Sequence, residues 1–156
     1  MQIVVDADFD APVSAVMPWV DTLEAYPEWT GLVHRVVREQ GSTPPAWSVE
    51  LRARLGPLAR SKRLRMQREE TAAEGEARFV RAEVDGRDHG HWELVAHCVD
   101  LSAAGRQRTR LTMTLRYDGA NWAGGLVERT LQDEIKQSRA RITELVRAGR
   151  LPGQTQ

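Results

Sequence analysis

Between Arg52 and Arg68 the chain carries seven cations (Arg52, Arg54, Arg60, Lys62, Arg63, Arg65 and Arg68) and no acid. If Leu64 and Met66 turn inward on a strand, alternation puts Arg60, Lys62 and Arg68 on the same side and leaves Arg63 and Arg65 in water. An inward guanidinium offers paired donors to a planar anion, which suits a ligand carboxylate or enolate. The competing and weightier reading is a solvated strand whose charges discourage edge-to-edge pairing. Anionic headgroups or phosphates could meet the same stripe. However, 22 basic residues balance 22 acidic ones, and a nucleic-acid binder usually carries a basic excess. No nucleic-acid partner is expected.

His89, His91 and His97 form an H-x-H-x5-H set. On a strand the step of six residues spans roughly 20 Å, too far for His97 to share a metal with His91. No third ligand for His89 and His91 is evident, and Trp92, Leu94 and Ala96 hold the apolar parity. The histidines are read as solvent-facing, with no metal. Cys98 lies on that apolar parity without a neighbouring base and reads as a buried, inert thiol. As the single cysteine it allows neither an intrachain disulfide nor a thiolate cluster. Asp133 and Glu134 could bring a carboxylate near a cavity, although a solvated helix face explains them as well. There is no nucleophile elbow, P-loop or dinucleotide fingerprint. Gly124-Gly125 reads as close packing at a helix start, so no cofactor is expected.

Five tryptophans (Trp19, Trp29, Trp47, Trp92 and Trp122) and two tyrosines outnumber two phenylalanines. Tryptophan joins a large apolar face to one N–H donor, which suits a greasy wall that orients a polar ligand. Each could equally fill a core.

The elements that position these side chains follow from periodicity. The 156 residues, 41% apolar and 28% charged, with a mean hydropathy of −0.49, fit one domain able to bury a core. Residues 1–148 are assigned to it and 149–156 to a flexible tail. The opening MQIVVDADFD fits neither a signal peptide nor a membrane span, so a cytoplasmic protein without integral membrane association is expected. Twenty of the basic residues are arginine, only Lys62 and Lys136 being lysine. That bias suggests a GC-rich bacterial genome. Ile3, Val5, Ala7 and Phe9 share one strand parity. Asp10 is a candidate N-cap for a helix carrying Val13, Val16, Val20 and Leu23, with Pro18 set to kink or split it. Tyr26-Pro27-Glu28-Trp29 starts a second short helical piece.

From Val33 to Tyr117 the period is near two. Trp47, Val49, Leu51, Ala53 and Leu55 alternate with polar residues, Gly56-Pro57 turns the chain, and Leu58 to Arg68 returns. Asp85-Gly86-Arg87-Asp88 separates strands near 77–84 and 90–100. Leu111, Met113, Leu115 and Tyr117 mark a further strand after Ala103-Ala104-Gly105. Asn121 is a candidate cap for the closing helix, whose stripe is Leu126, Leu131, Ile135, Ser138, Ile142 and Leu145. Gly149 and Pro152 stop it. The expected fold is α+β: a curved antiparallel sheet of about six to seven strands wrapped on a long C-terminal helix, with two short helices after the first strand, a helix grip.

Asp10-Ala11-Pro12 after the first strand, Tyr26-Pro27-Glu28-Trp29, Leu111–Leu115 and the closing helix with Glu134-Ile135 resemble the START-like (SRPBCC) superfamily over about residues 2–147. More narrowly they resemble its bacterial polyketide cyclase/dehydrase and lipid-transport group. The resemblance implies a ligand cavity between sheet and long helix that binds or transports a lipid or polyketide. A minority of members catalyse ring closure and dehydration, so an aromatase/cyclase is the alternative. A toxin or regulator acting through protein contacts is a further one, and a monomer or homodimer is expected in any of these cases. Curvature and parity place Trp47, Leu51, Arg60, Leu64 and Met66 on the expected cavity wall, with Trp29 below. Phe79, Trp92, Met113 and Tyr117 continue the wall, and Leu131, Ile135 and Ser138 close it from the helix. No catalytic residue can be assigned.

Overall fold

The computed structural model describes residues 1–55, 58–118 and 125–154, with side chains described except at 54–55, 58 and 125–128. Gly56-Pro57, Asn121, Trp122 and Gly124 lie outside the described residues, as do the side chains of Leu55, Leu126 and Glu128.

The alternating segments become strands β1 (Gln2–Phe9), β2 (Val33–Arg38), β3 (Ala46–Leu55), β4 (Leu58–Glu69), β5 (Glu76–Arg81), β6 (Trp92–Asp100) and β7 (Thr109–Tyr117). They form one seven-stranded antiparallel sheet in the order β1-β7-β6-β5-β4-β3-β2. Strands β2 to β7 each pair with the next in sequence, a meander that needs only short turns. The first strand departs from this, because β1 pairs with β7 from Gln2↔Arg116 to Phe9↔Thr109. One irregularity, between Val33 and Arg35, shifts the β2–β3 register.

Helix α1 (Val13–Val16) is a single turn. Pro18 has no N–H to donate to residue 14, so the chain tightens into a 3₁₀ turn, Met17–Trp19. A second 3₁₀ stretch, Leu23–Glu28, contains Pro27. Asp10 is not the cap: that position is Pro12, with no side-chain hydrogen bond. Thr109 Oγ1 instead fixes the corner by donating to the Ala11 carbonyl at 2.7 Å. The strand expected over 77–84 ends at Arg81, and the next starts at Trp92 rather than at residue 90. Between them Asp85 accepts from the Arg87 amide and faces His89, with Gly86 supplying a positive φ of 73°.

Helix α2 (Gly125–Arg147) is amphipathic. Its Leu131, Ser138, Ile142 and Val146 are buried, and Ile135 and Leu145 are half-buried. Together with the 3₁₀ turns it covers the concave face of the sheet. Residues 150–154 follow it back onto those turns: Trp19 Nε1 donates to the Arg150 carbonyl at 3.2 Å, and the Gly153 amide donates to Glu28 at 3.0 Å.

The concave face has two unlike ends. At one, Trp19, Tyr26, Trp47 and Phe79 are fully buried. Phe79 meets the Tyr26 and Trp47 rings edge-on, at centroid distances of 6.3 and 5.5 Å. The other end is hollow.

Candidate functional site

A cavity of about 200 Å³ lies between the sheet and α2. Strand parity builds its wall. Leu51 and Val49 come from β3, Leu64 and Met66 from β4, Trp92 and Leu94 from β6, and Leu111, Met113, Leu115 and Tyr117 from β7. Ile3, Val5 and Ala7 of β1 complete the sheet side, and Leu131, Ile135, Ser138 and Ile142 of α2 form the opposite wall. Leu23, Tyr26, Trp29 and Thr30 close the end nearest the 3₁₀ turns. The Trp92 and Tyr117 rings stack, 4.9 Å apart at 25°.

Of the residues expected on this wall, Trp29, Leu51, Leu64, Met66, Trp92, Met113, Tyr117, Leu131, Ile135 and Ser138 lie on it. Three do not. Trp47 and Phe79 point inward but are consumed by the packed aromatic end, where the Trp47 indole donates to Glu24. Arg60 has the inward parity, but it lies near the hairpin end of β4, past the cavity, and is exposed. Arg68, of the same parity, donates to the Asp21 carbonyl and covers the Phe79 ring at 5.4 Å. It braces the loop rather than the cavity. Glu134 stands against Gly31, where an added Cβ would come within 3.0 Å of its Oε2. The β1 residues are an addition to the expected wall, although their alternation already puts them on one face. Tyr26 and Thr30 are further additions, which reach the cavity only because the 3₁₀ stretch folds over the sheet.

Most of the polar side chains on the wall are engaged by the protein itself. Ser138 Oγ pairs with Thr30 Oγ1 at 2.8 Å and approaches the Glu134 carbonyl at 2.6 Å. The Tyr26 hydroxyl donates to the Val20 carbonyl at 3.0 Å. Burial, and secondarily the Asp21 carboxylate, push that phenol well above the usual tyrosine range. Trp29 Nε1 donates to the Trp19 carbonyl at 2.9 Å. The two arginines at the wall use their heads elsewhere: Arg139 donates to the Asp6 carbonyl, and Arg52 faces Glu50 at 3.7 Å. Among the described residues no three His, Cys, Asp or Glu side chains are grouped to hold a metal ion. His89 and His91 are exposed and His97 half-buried. No described helix is long and apolar enough to cross a membrane.

A curved sheet gripping one long helix around an apolar cavity defines a helix-grip domain. The chain belongs to the polyketide cyclase / dehydrase and lipid transport family, whose sequence pattern matches residues 1–147. No curated protein matches it. Among solved structures it is similar to a START superfamily protein from Mycobacterium smegmatis, at 15% identity and a TM-score of 0.65, covering 94% of this chain and 97% of that one. It is also similar to TTHA0849 from Thermus thermophilus, at 17% identity and a TM-score of 0.63, covering 95% and 98%. A third likeness is to the di-domain ARO/CYC BexL from the BE-7585A biosynthetic pathway, at 13% identity and a TM-score of 0.57. That match covers 92% of this chain and 49% of BexL. At such identities these structures establish the fold. Family and fold fit a domain that binds hydrophobic ligands.

Proposed function

We propose that this protein binds, and by release transports, a small hydrophobic molecule in the cavity between its sheet and α2. The observation that carries the reading is the hollow itself, about 200 Å³ walled by hydrocarbon and aromatic rings. A dry apolar cavity of about 150 Å³ accepts benzene, and sites for drug-sized ligands run from about 300 Å³ upward. The volume therefore suits a one- or two-ring molecule or a short acyl chain. Cyclase chemistry requires an acid–base pair within hydrogen-bond reach of the substrate. The hydroxyls of Tyr26, Thr30 and Ser138 are spent on protein partners, which favours binding over turnover despite the likeness to BexL.

Met113→Trp tests the reading, with 2-naphthamide as a neutral probe. In a filled core the added bulk costs about 1–3 kcal/mol. In a hollow site the variant keeps its stability in urea and loses the probe, and that is the expected result. A wild-type protein that takes up no probe, with a severely destabilised variant, would overturn the proposal.

A further inference from the structure

Lys62 is the inward-parity cation of β4 nearest the cavity. Its Cα partner across the β3–β4 ladder is Leu51, its neighbour two residues on is Leu64, and both line the hollow. Its ammonium sits over the Trp92 ring, 5.4 Å from the centroid, and Trp92 is itself wall. Cations fully withdrawn from water are nearly always paired. Arg81, at the same end of the sheet, is paired: Glu83 lies 3.0 Å from its Nε and His89 Nδ1 3.2 Å from its Nη2. Among the described residues no carboxylate pairs with Lys62, and the partner its ammonium does have is the ring face. Loss of water, and secondarily the charge of Arg81, hold it below the usual lysine value, the direction burial gives an ammonium.

We propose that Lys62 selects the ligand's charge: the occupant is a monocarboxylic acid with an apolar body, its carboxylate paired with the Lys62 ammonium and its body running past the stacked Trp92–Tyr117 rings into the hollow. This rests on the cavity being a ligand site. The carboxylate supplies an anion that none of the described residues offers, and a charge-assisted hydrogen bond beside an apolar wall is stronger than a neutral one. The ring face below the ammonium holds it at the rim, so little side-chain freedom is lost on binding.

The experiment compares 2-naphthoate with its neutral isostere 2-naphthamide, by calorimetry and quenching of tryptophan fluorescence, on the full chain and on Lys62→Met and Lys62→Arg. The wild type should prefer the carboxylate by about tenfold in Kd, a factor in reach of one charge-assisted hydrogen bond. Lys62→Met should weaken the carboxylate far more than the amide and so erase the preference, while Lys62→Arg should keep it. An equal carboxylate-to-amide ratio in wild type and Lys62→Met overturns the role of Lys62 and leaves the cavity reading standing. Failure of both probes to bind any of the three proteins overturns both.

Discussion

Cys98 shows how burial decides what a residue can do. The thiol is buried, and loss of water, followed by the nearby Asp21 charge, pushes its pKa up to about 11. The thiolate is the reactive form, so the native protein should resist a disulfide reagent at pH 8 and react once unfolded in urea. Rapid labelling of the folded chain would contradict the buried placement. Phe79 makes the complementary case for packing. It is fully buried between Tyr26 and Trp47, so Phe79→Ala should lower unfolding free energy by about 3–5 kcal/mol. A loss under about 1 kcal/mol in urea titration would mean this end of the sheet is not filled.

Among the elements, the β1–β7 pair joins the first and last strands of the sequence and carries a test in charge. Asp8 of β1 accepts from Arg110 at 2.8 Å and also pairs with Arg108. These two guanidinium groups, Arg110 first, hold its carboxyl well below the usual carboxylate range. A depressed folded-state value stabilises the fold fully above the unfolded value near pH 4 and ceases to do so as pH falls through the folded one. Asp8→Asn should therefore lower Tm at pH 7, and its gap to wild type should close progressively below about pH 4. A gap independent of pH would show that the pair adds nothing through ionisation.

Much of this architecture was legible as alternation. Leu111, Met113, Leu115 and Tyr117 share one face because strand alternation requires it, and Pro18, for want of an N–H, ends α1 after one turn. The division of the concave face into filled and hollow ends was not legible. It depends on where Leu23–Glu28 lies over the sheet, a contact between segments far apart in sequence, so parity alone put Trp47 and Phe79 in the same class as Leu51. Parity also placed Arg60 with Leu64 and Met66, because alternation gives a direction but not a position along the strand relative to the cavity. The Asp10 cap failed for a local reason: α1 is one turn long, and Thr109, distant in sequence but paired with Phe9 on the neighbouring strand, holds the corner instead.

For the whole molecule, occupancy of the hollow should register as stability. A ligand that binds only the folded state adds about 2.7 kcal/mol at a hundred times its Kd. Saturating 2-naphthamide should thus raise the Tm of wild type and leave that of Met113→Trp unmoved. An equal rise in both would place the probe elsewhere. A chelator should leave Tm unchanged, because the histidines are dispersed and the core is apolar; a fall in Tm would reveal a structural metal.

The contrast between the two ends of the sheet also sets where the molecule breathes. Opening free energies follow local packing, and β4 passes from the hollow at Leu64 to the aromatic end opposite Phe79, so a single strand should show two regimes of amide exchange. Amides near Arg68 and Phe79 should exchange only with global unfolding, while those flanking Leu51 and Lys62 exchange through smaller fluctuations. Those fluctuations would give a ligand its way in, and a bound acid at the rim would be expected to slow them first.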